Sequence, residues 1–226
     1  VRALAAPALV ALSSAAFALA GAATSSASLA ACAAPARLSL RPAPRSFTAE
    51  DYRDVYRAWT RSAEGFDFAN LRDTLHVAAT YQSWEFRWAY VVRYARDHNL
   101  DTAERTEMLR ASLADAETTH RFFVTLYGRQ WRESDLANER SAWRVQLVDE
   151  QGRATPPSEI EPVPRPGPLE RTYFPTVSPF RRAFRLAFPA RRDDGTATVP
   201  LDARSVTLRF TGPEGTVDLV WRFEDR

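Results

Sequence analysis

The sequence predicts an α+β fold: an antiparallel β-sandwich of immunoglobulin-like size, about seven strands, with an N-terminal helix and an inserted helical hairpin. Three observations carry this. Between 49 and 119 the apolar residues recur mainly with helical spacing, from 121 onward they alternate almost residue by residue, and one alternating stretch, 74–81, lies among the helices. That stray strand ties helices and sheet into one domain over 47–226, with the helical hairpin inserted between strands of one fold.

The first helix is expected over about 49–63. Thr48 is placed to cap it, and Glu50 and Asp51 fall in the first turn, where the helix dipole favours acids. Tyr52, Val55, Tyr56, Trp59 and Ala63 then form one apolar stripe, stopped by Gly65. At 74–81 the period changes to two, with Leu75, Val77, Ala79 and Tyr81 against Thr74, His76, Ala78 and Thr80. Ser83 caps a second helix over 84–97, in which Trp84, Trp88, Val91, Val92 and Ala95 share a face widened by Phe86, Tyr90 and Tyr94. After a turn at His98-Asn99, Asp101 and Glu104 form a capping-box start for a helix over about 102–119 containing Met108, Leu109, Leu113 and Ala116.

The rest reads as sheet, from about 121 to 226. Phe122, Val124 and Leu126 alternate, as do Trp143, Val145 and Leu147, then Phe184, Leu186 and Phe188, then Val206, Leu208 and Phe210, then Val217, Leu219, Trp221 and Phe223. Polar residues such as Arg144, Gln146, Arg185, Arg209, Asp218 and Arg222 occupy the other face, the pattern of an antiparallel sheet with one dry and one wet side. Turns are expected at 149–152, 193–195 and 212–215. Eight of the 15 prolines lie within 156–179, which makes that piece an edge strand or a crossover, because proline cannot donate to a ladder.

Composition narrows the function classes. The chain of 226 residues is 45% hydrophobic, enough for a sizeable core, and its formal net charge is only +2. Four of its 30 basic residues, Arg2, Arg37, Arg41 and Arg45, precede the domain, leaving 26 against 28 acids, so nothing favours a nucleic-acid partner. The single cysteine forbids an internal disulfide. No nucleophile elbow, phosphate-binding loop or dinucleotide fingerprint is present, and no cofactor is implied.

Candidate sites are therefore few. His76, His98 and His120 lack metal-ligand spacing, and no metal site is read from them. Glu85, Glu104, Asp115 and Glu117 fall on helix positions expected to be exposed and solvated. The aromatic band of the second helix is the least ordinary feature: Trp84, Trp88, Tyr90 and Tyr94 are candidate binding residues for a glycan, peptide or lipid, or else the layer that packs the hairpin on the sheet. The prolines of 162–168 offer a recognition arm or a plain crossover.

The N-terminal region supplies an address. Residues 3–20 form an Ala-rich apolar run after Arg2, and Leu29-Ala30-Ala31-Cys32 follows. This tetrapeptide resembles the lipobox of bacterial lipoproteins at all four positions. The resemblance covers the leader and Cys32 alone, and it implies a signal peptide over 1–31 and diacylglycerol on the Cys32 thiol. It further implies a mature protein beginning at Cys32, with a tether rich in Arg and Pro over 32–46. The competing reading is a secretory signal cut after Ala18-Leu19-Ala20. Ala33, in place of the Asp of inner-membrane lipoproteins, points by the same analogy to the outer membrane of the cell envelope.

Together these readings lead to a membrane-anchored envelope lipoprotein acting as a non-catalytic binding or scaffolding module, with an envelope protein or glycan as partner. The alternative is an envelope-polymer hydrolase using helix carboxylates or clustered histidines.

Overall fold

In the computed structural model, residues 38–43, 45–67, 72–128 and 134–223 are described. The signal peptide, Leu29, Ala30, Ala31 and Cys32 lie outside them. The elements run α1 (Tyr52–Trp59), β1 (Thr60–Asp67), β2 (Arg72–Tyr81), α2 (Trp84–Asp97), α3 (Thr102–Thr118), β3 (Thr119–Gly128), β4 (Arg144–Asp149), β5 (Ala154–Thr155), β6 (Glu159–Val163), α4 (Pro168–Tyr173), β7 (Arg182–Pro189), β8 (Ser205–Gly212) and β9 (Gly215–Arg222). The strands form two antiparallel sheets, one in the order β1-β2-β3-β7-β6 and the other β5-β4-β8-β9. This is the expected α+β sandwich, with nine strands in place of about seven.

The helical hairpin α2–α3 is an insertion, since β2 and β3 on either side of it pair directly, Tyr81 opposite Phe122 and Val77 opposite Leu126. Successive residues of β3 then serve two layers. Phe122 meets Trp221 of the second sheet, with ring centroids 5.4 Å apart, whereas Phe123 stacks at 3.9 Å on Phe174 beneath the helices. The five-stranded sheet is thus covered on both faces at its centre, along β3. The one-wet-face expectation holds for the second sheet, where Val206, Leu208 and Phe210 are buried and Asp218 and Arg222 are exposed, but fails for the first. The unbroken apolar run Phe122-Phe123-Val124 is the sequence signature of a strand buried on both sides.

The first helix is shorter than expected. It stops at Trp59, and Ala63 and Gly65 belong to β1, which pairs with β2 from Thr60↔Thr80 onward. The carbonyls freed at the helix end are taken by one distant and one local side chain: Trp221 Nε1 donates to Trp59 O at 2.8 Å, and Arg61 Nη1 donates to Ala58 O at 2.9 Å. Gly65 is no cap; a Cβ there would lie 2.6 Å from Thr74 Oγ1 and 2.8 Å from Val217 Cγ2, so its small size lets two strands approach. The proline-rich piece contains the edge strand β6, with Pro162 opposite Phe184, and then α4, a helix not foreseen, opened by Gly167 and Pro168.

Candidate functional site: a cavity under the N-terminal strap

Residues 38–43 and 45–46, read from the sequence as part of a free tether, are packed onto the domain as a strap. Leu38 is buried, Ser39 O accepts a hydrogen bond from Trp84 Nε1 at 3.1 Å, and Arg45 pairs with Glu85 while its guanidinium sits 5.8 Å from the Trp84 ring centroid. Just past the strap, Phe47 meets the edge of Trp88 at 6.2 Å. The strap cannot be recognised from composition, because its anchoring depends on α2, some forty residues further on.

Ser83 caps α2 as expected, accepting from Phe86 N at 3.2 Å, and the helix splits the aromatic band into two sides. Trp84 and Trp88, one turn apart, face the strap. Phe86, Tyr90 and Tyr94 face α1 and α4, with Tyr90 4.9 Å from Tyr173. Between the strap, the start of α2, the end of α3 and the loop after β7 lies a cavity of about 510 Å³. Its walls include Leu40, Trp84, Trp88, Leu113, Val199 and Leu201, with Glu117 and Arg191 both exposed on it. A volume of this order falls within the roughly 300–1,000 Å³ range of small-molecule sites. On the opposite side of the hairpin a second hollow, about 470 Å³, is lined by Tyr90, Tyr94, Tyr173, Arg121 and Arg185; Gln82 borders both. The four aromatic candidates therefore divide, two to each cavity.

Helix α3 explains why the hollows exist. Its capping box is complete, Asp101 Oδ1 accepting from Glu104 N and Glu104 Oε2 from Asp101 N at 2.9 Å each, yet none of its seventeen residues is buried. Its apolar side chains do not reach the core: Leu113 and Ala116 border the first cavity and Met108 the second.

The polar candidates have other duties. Glu85, expected to be solvated, is buried, holding Arg45 with one oxygen and accepting from Trp59 Nε1 at 2.8 Å with the other. Asp115 accepts from Arg87 Nη1 at 2.7 Å and takes a bidentate contact from Arg121 at 2.8 and 2.9 Å. The Arg121 hydrogen bonds, with help from Arg87, hold its carboxyl down at about 2. Arg87 itself, buried, donates also to the carbonyls of Gln82 and Ser112.

The histidines lie apart. His76 pairs with Glu64 at 3.2 Å on β2, and His98 stacks on Tyr94 at 3.9 Å past the end of α2. His120 opens β3, its Nδ1 2.9 Å from the Tyr81 hydroxyl. Among the described residues no three His, Cys, Asp or Glu side chains form a group able to hold a metal. Burial lowers His120 to about 4, so it is neutral at physiological pH. The Tyr81 phenol, itself pushed up by burial, shares this hydrogen bond with Nδ1, while Nε2 is buried without a partner among the described residues.

The chain matches no protein-family model, no curated protein and no solved structure. What the site offers chemically is an apolar volume walled by two indoles, with Glu117 exposed on it and the neighbouring Glu85 and Asp115 engaged by arginines.

Proposed function

We propose that this chain is a lipid-anchored protein of the bacterial cell envelope, held at the outer membrane through Cys32, whose domain binds an apolar small molecule without transforming it. The observation that carries the binding half is the cavity beneath the strap, walled by Trp84, Trp88, Leu113 and Val199. Aromatic and aliphatic walls give affinity by removing apolar ligand surface from water, about 25 cal/mol for each Å². The anchoring half rests on Leu29-Ala30-Ala31-Cys32. No described helix is long and apolar enough to cross a membrane, and acyl chains on Cys32 would supply attachment at roughly 0.8 kcal/mol per buried methylene.

Two measurements on protein purified from bacterial membranes test this. The N-terminal peptide is expected to begin at Cys32 with diacylglycerol on the sulfur; a free thiol, or another terminus, removes the anchor. An apolar naphthylamine dye should bind saturably and accept energy from tryptophan, with the transfer reduced in Trp88→Ala. A dye signal that never saturates, or that Trp88→Ala leaves unchanged, removes the cavity.

A further inference from the structure

We infer that the cavity is an acyl-chain site, taking one fatty chain of an amphiphile supplied by the adjoining bilayer; this rests on the anchored-binder reading above. The first argument is the wall. Of the polar groups lining it, Ser83 Oγ is committed to the cap of α2 and the Tyr81 hydroxyl to His120, leaving a few neutral groups such as Gln82 and the His120 ring on an otherwise apolar wall. Its exposed charges, Glu117 and Arg191, are of opposite sign. A sugar or nucleotide would surrender most of its hydration there for few directed partners in exchange. A hydrocarbon chain surrenders nothing.

The second argument is the uncovered side of α3. Leu113 and Ala116 stay only half-buried because among the described residues they face the cavity, and on the rim Leu201 is 62% exposed. Apolar surface left in this way inside a walled hollow is matched by an apolar occupant.

Reach supplies the third argument. Leu40 lines the cavity and stands eight positions after Cys32. At roughly 3.3 Å per residue that connection spans no more than about 26 Å. An anchored Cys32 therefore keeps the cavity within one small-domain diameter of the bilayer, where acyl chains are the most abundant apolar solute. The chain that enters can be a free lipid's or one of the anchor's own; the chemistry is the same.

The test uses the processed protein purified from membranes in cholate and a palmitic acid analogue bearing a terminal diazirine. After illumination, adducts are expected on the peptides that carry Trp84, Trp88, Leu113 and Ala116. Excess palmitate should suppress them by about tenfold, as should Ala116→Trp, which fills the hollow; tenfold corresponds to about 1.4 kcal/mol of affinity. Leu201→Glu, on the exposed rim, should lower labelling without disturbing the core, and thermal unfolding of both variants is recorded alongside. Labelling that rises in Cys32→Ser makes the chain's own anchor the resident, and equal labelling makes it a free lipid; either supports an acyl site. Adducts confined to other faces, or undiminished by palmitate and by both variants, overturn it. The N-terminal mass from the same samples reports the anchor separately: a free Cys32 thiol with the cavity adducts intact would sink the anchoring and leave the acyl site standing.

Discussion

Glu85 Oε2 accepts a hydrogen bond from the indole Nε1 of Trp59 at 2.8 Å, joining the first turn of α2 to the last residue of α1 inside the protein. Trp59 is fully buried, so its N–H has no water to fall back on. Glu85→Ala is expected to destabilise the fold by about 2–3 kcal/mol, the cost of an orphaned buried donor plus a lost charged partner. Glu85→Gln keeps an acceptor and should cost about half of that. Urea unfolding of the two variants checks the ranking; equal losses would mean that the indole bond contributes nothing.

His120 predicts acid sensitivity in a defined window. Burial holds its pKa at about 4, below the 6.5 of the unfolded chain, so between those values the unfolded state binds the extra proton. The stability contributed by keeping it neutral is complete above about pH 6.5 and is lost as pH falls toward 4, a change on the order of 2–3 kcal/mol. Urea midpoints measured from pH 8 to 4 should fall along this window. His120→Phe should flatten the fall, and a slope retained by that variant would locate the titration elsewhere.

Much of this architecture was legible in the sequence. The helix from Trp84 to Asp97 and the capping box of Asp101 and Glu104 were readable because both signals are local. Strands β8 and β9 were readable because only one of their faces is dry, and β4 because its first half shows the same alternation. The failures share a cause. The end of α1 is fixed by Trp221 and Arg61, the strap by Trp84 and Glu85, and the second dry face of β3 by Phe174, each a partner remote in sequence or outside the helix. Of the site, the aromatic residues were legible as composition, but their division between two cavities depends on where α3 fails to fill space.

Asp115 predicts a second, more acidic transition. Its carboxyl is held at about 2 by Arg121 and Arg87, below the ordinary value of 3.8, so the stabilisation it gives is present above about pH 4 and disappears as pH falls toward 2. Asp115→Asn leaves Arg87, which is buried, with carbonyl partners only. A loss of about 2–3 kcal/mol is expected at neutral pH, below the roughly 3–5 kcal/mol for breaking a fully buried pair because Asp115 is partly exposed. The same variant should lose less stability than wild type between pH 4 and 2. Parallel curves for the two proteins would contradict the assignment.

Gly212 closes β8 where the chain runs against the entry to β4. A Cβ at this position would stand 2.5 Å from the Ala142 carbonyl oxygen and 3.0 Å from the Trp143 ring. The obstacle is backbone and cannot rotate away, so Gly212→Ala should cost about 1–3 kcal/mol through overpacking. Gly152→Ala, at φ +80° with open space around it, meets backbone strain alone, of about 1–2 kcal/mol. Thermal unfolding of the pair separates collision from strain, and a neutral Gly212→Ala would show that the β4 entry yields.

Arg45 is the clasp of the strap. It bonds Glu85 and lies over the Trp84 ring, and only about a quarter of its side chain is exposed. Arg45→Ala removes the charge partner of a buried carboxylate that still keeps its bond to Trp59, so the fold should survive with a loss of about 1–3 kcal/mol. The strap is affected more than the fold, because Leu38 and the Ser39 carbonyl become its main remaining attachments. Chymotrypsin should then cut after Leu40 faster in Arg45→Ala than in wild type, since cleavage of a locally opened segment follows its open population. Arg45→Lys retains the charge but not the planar stacking, and should fall between the two. If the chain is cut after Leu40 at one rate in all three proteins, the clasp does not govern the strap, and the cavity wall it closes is held mainly by Leu38 and Ser39.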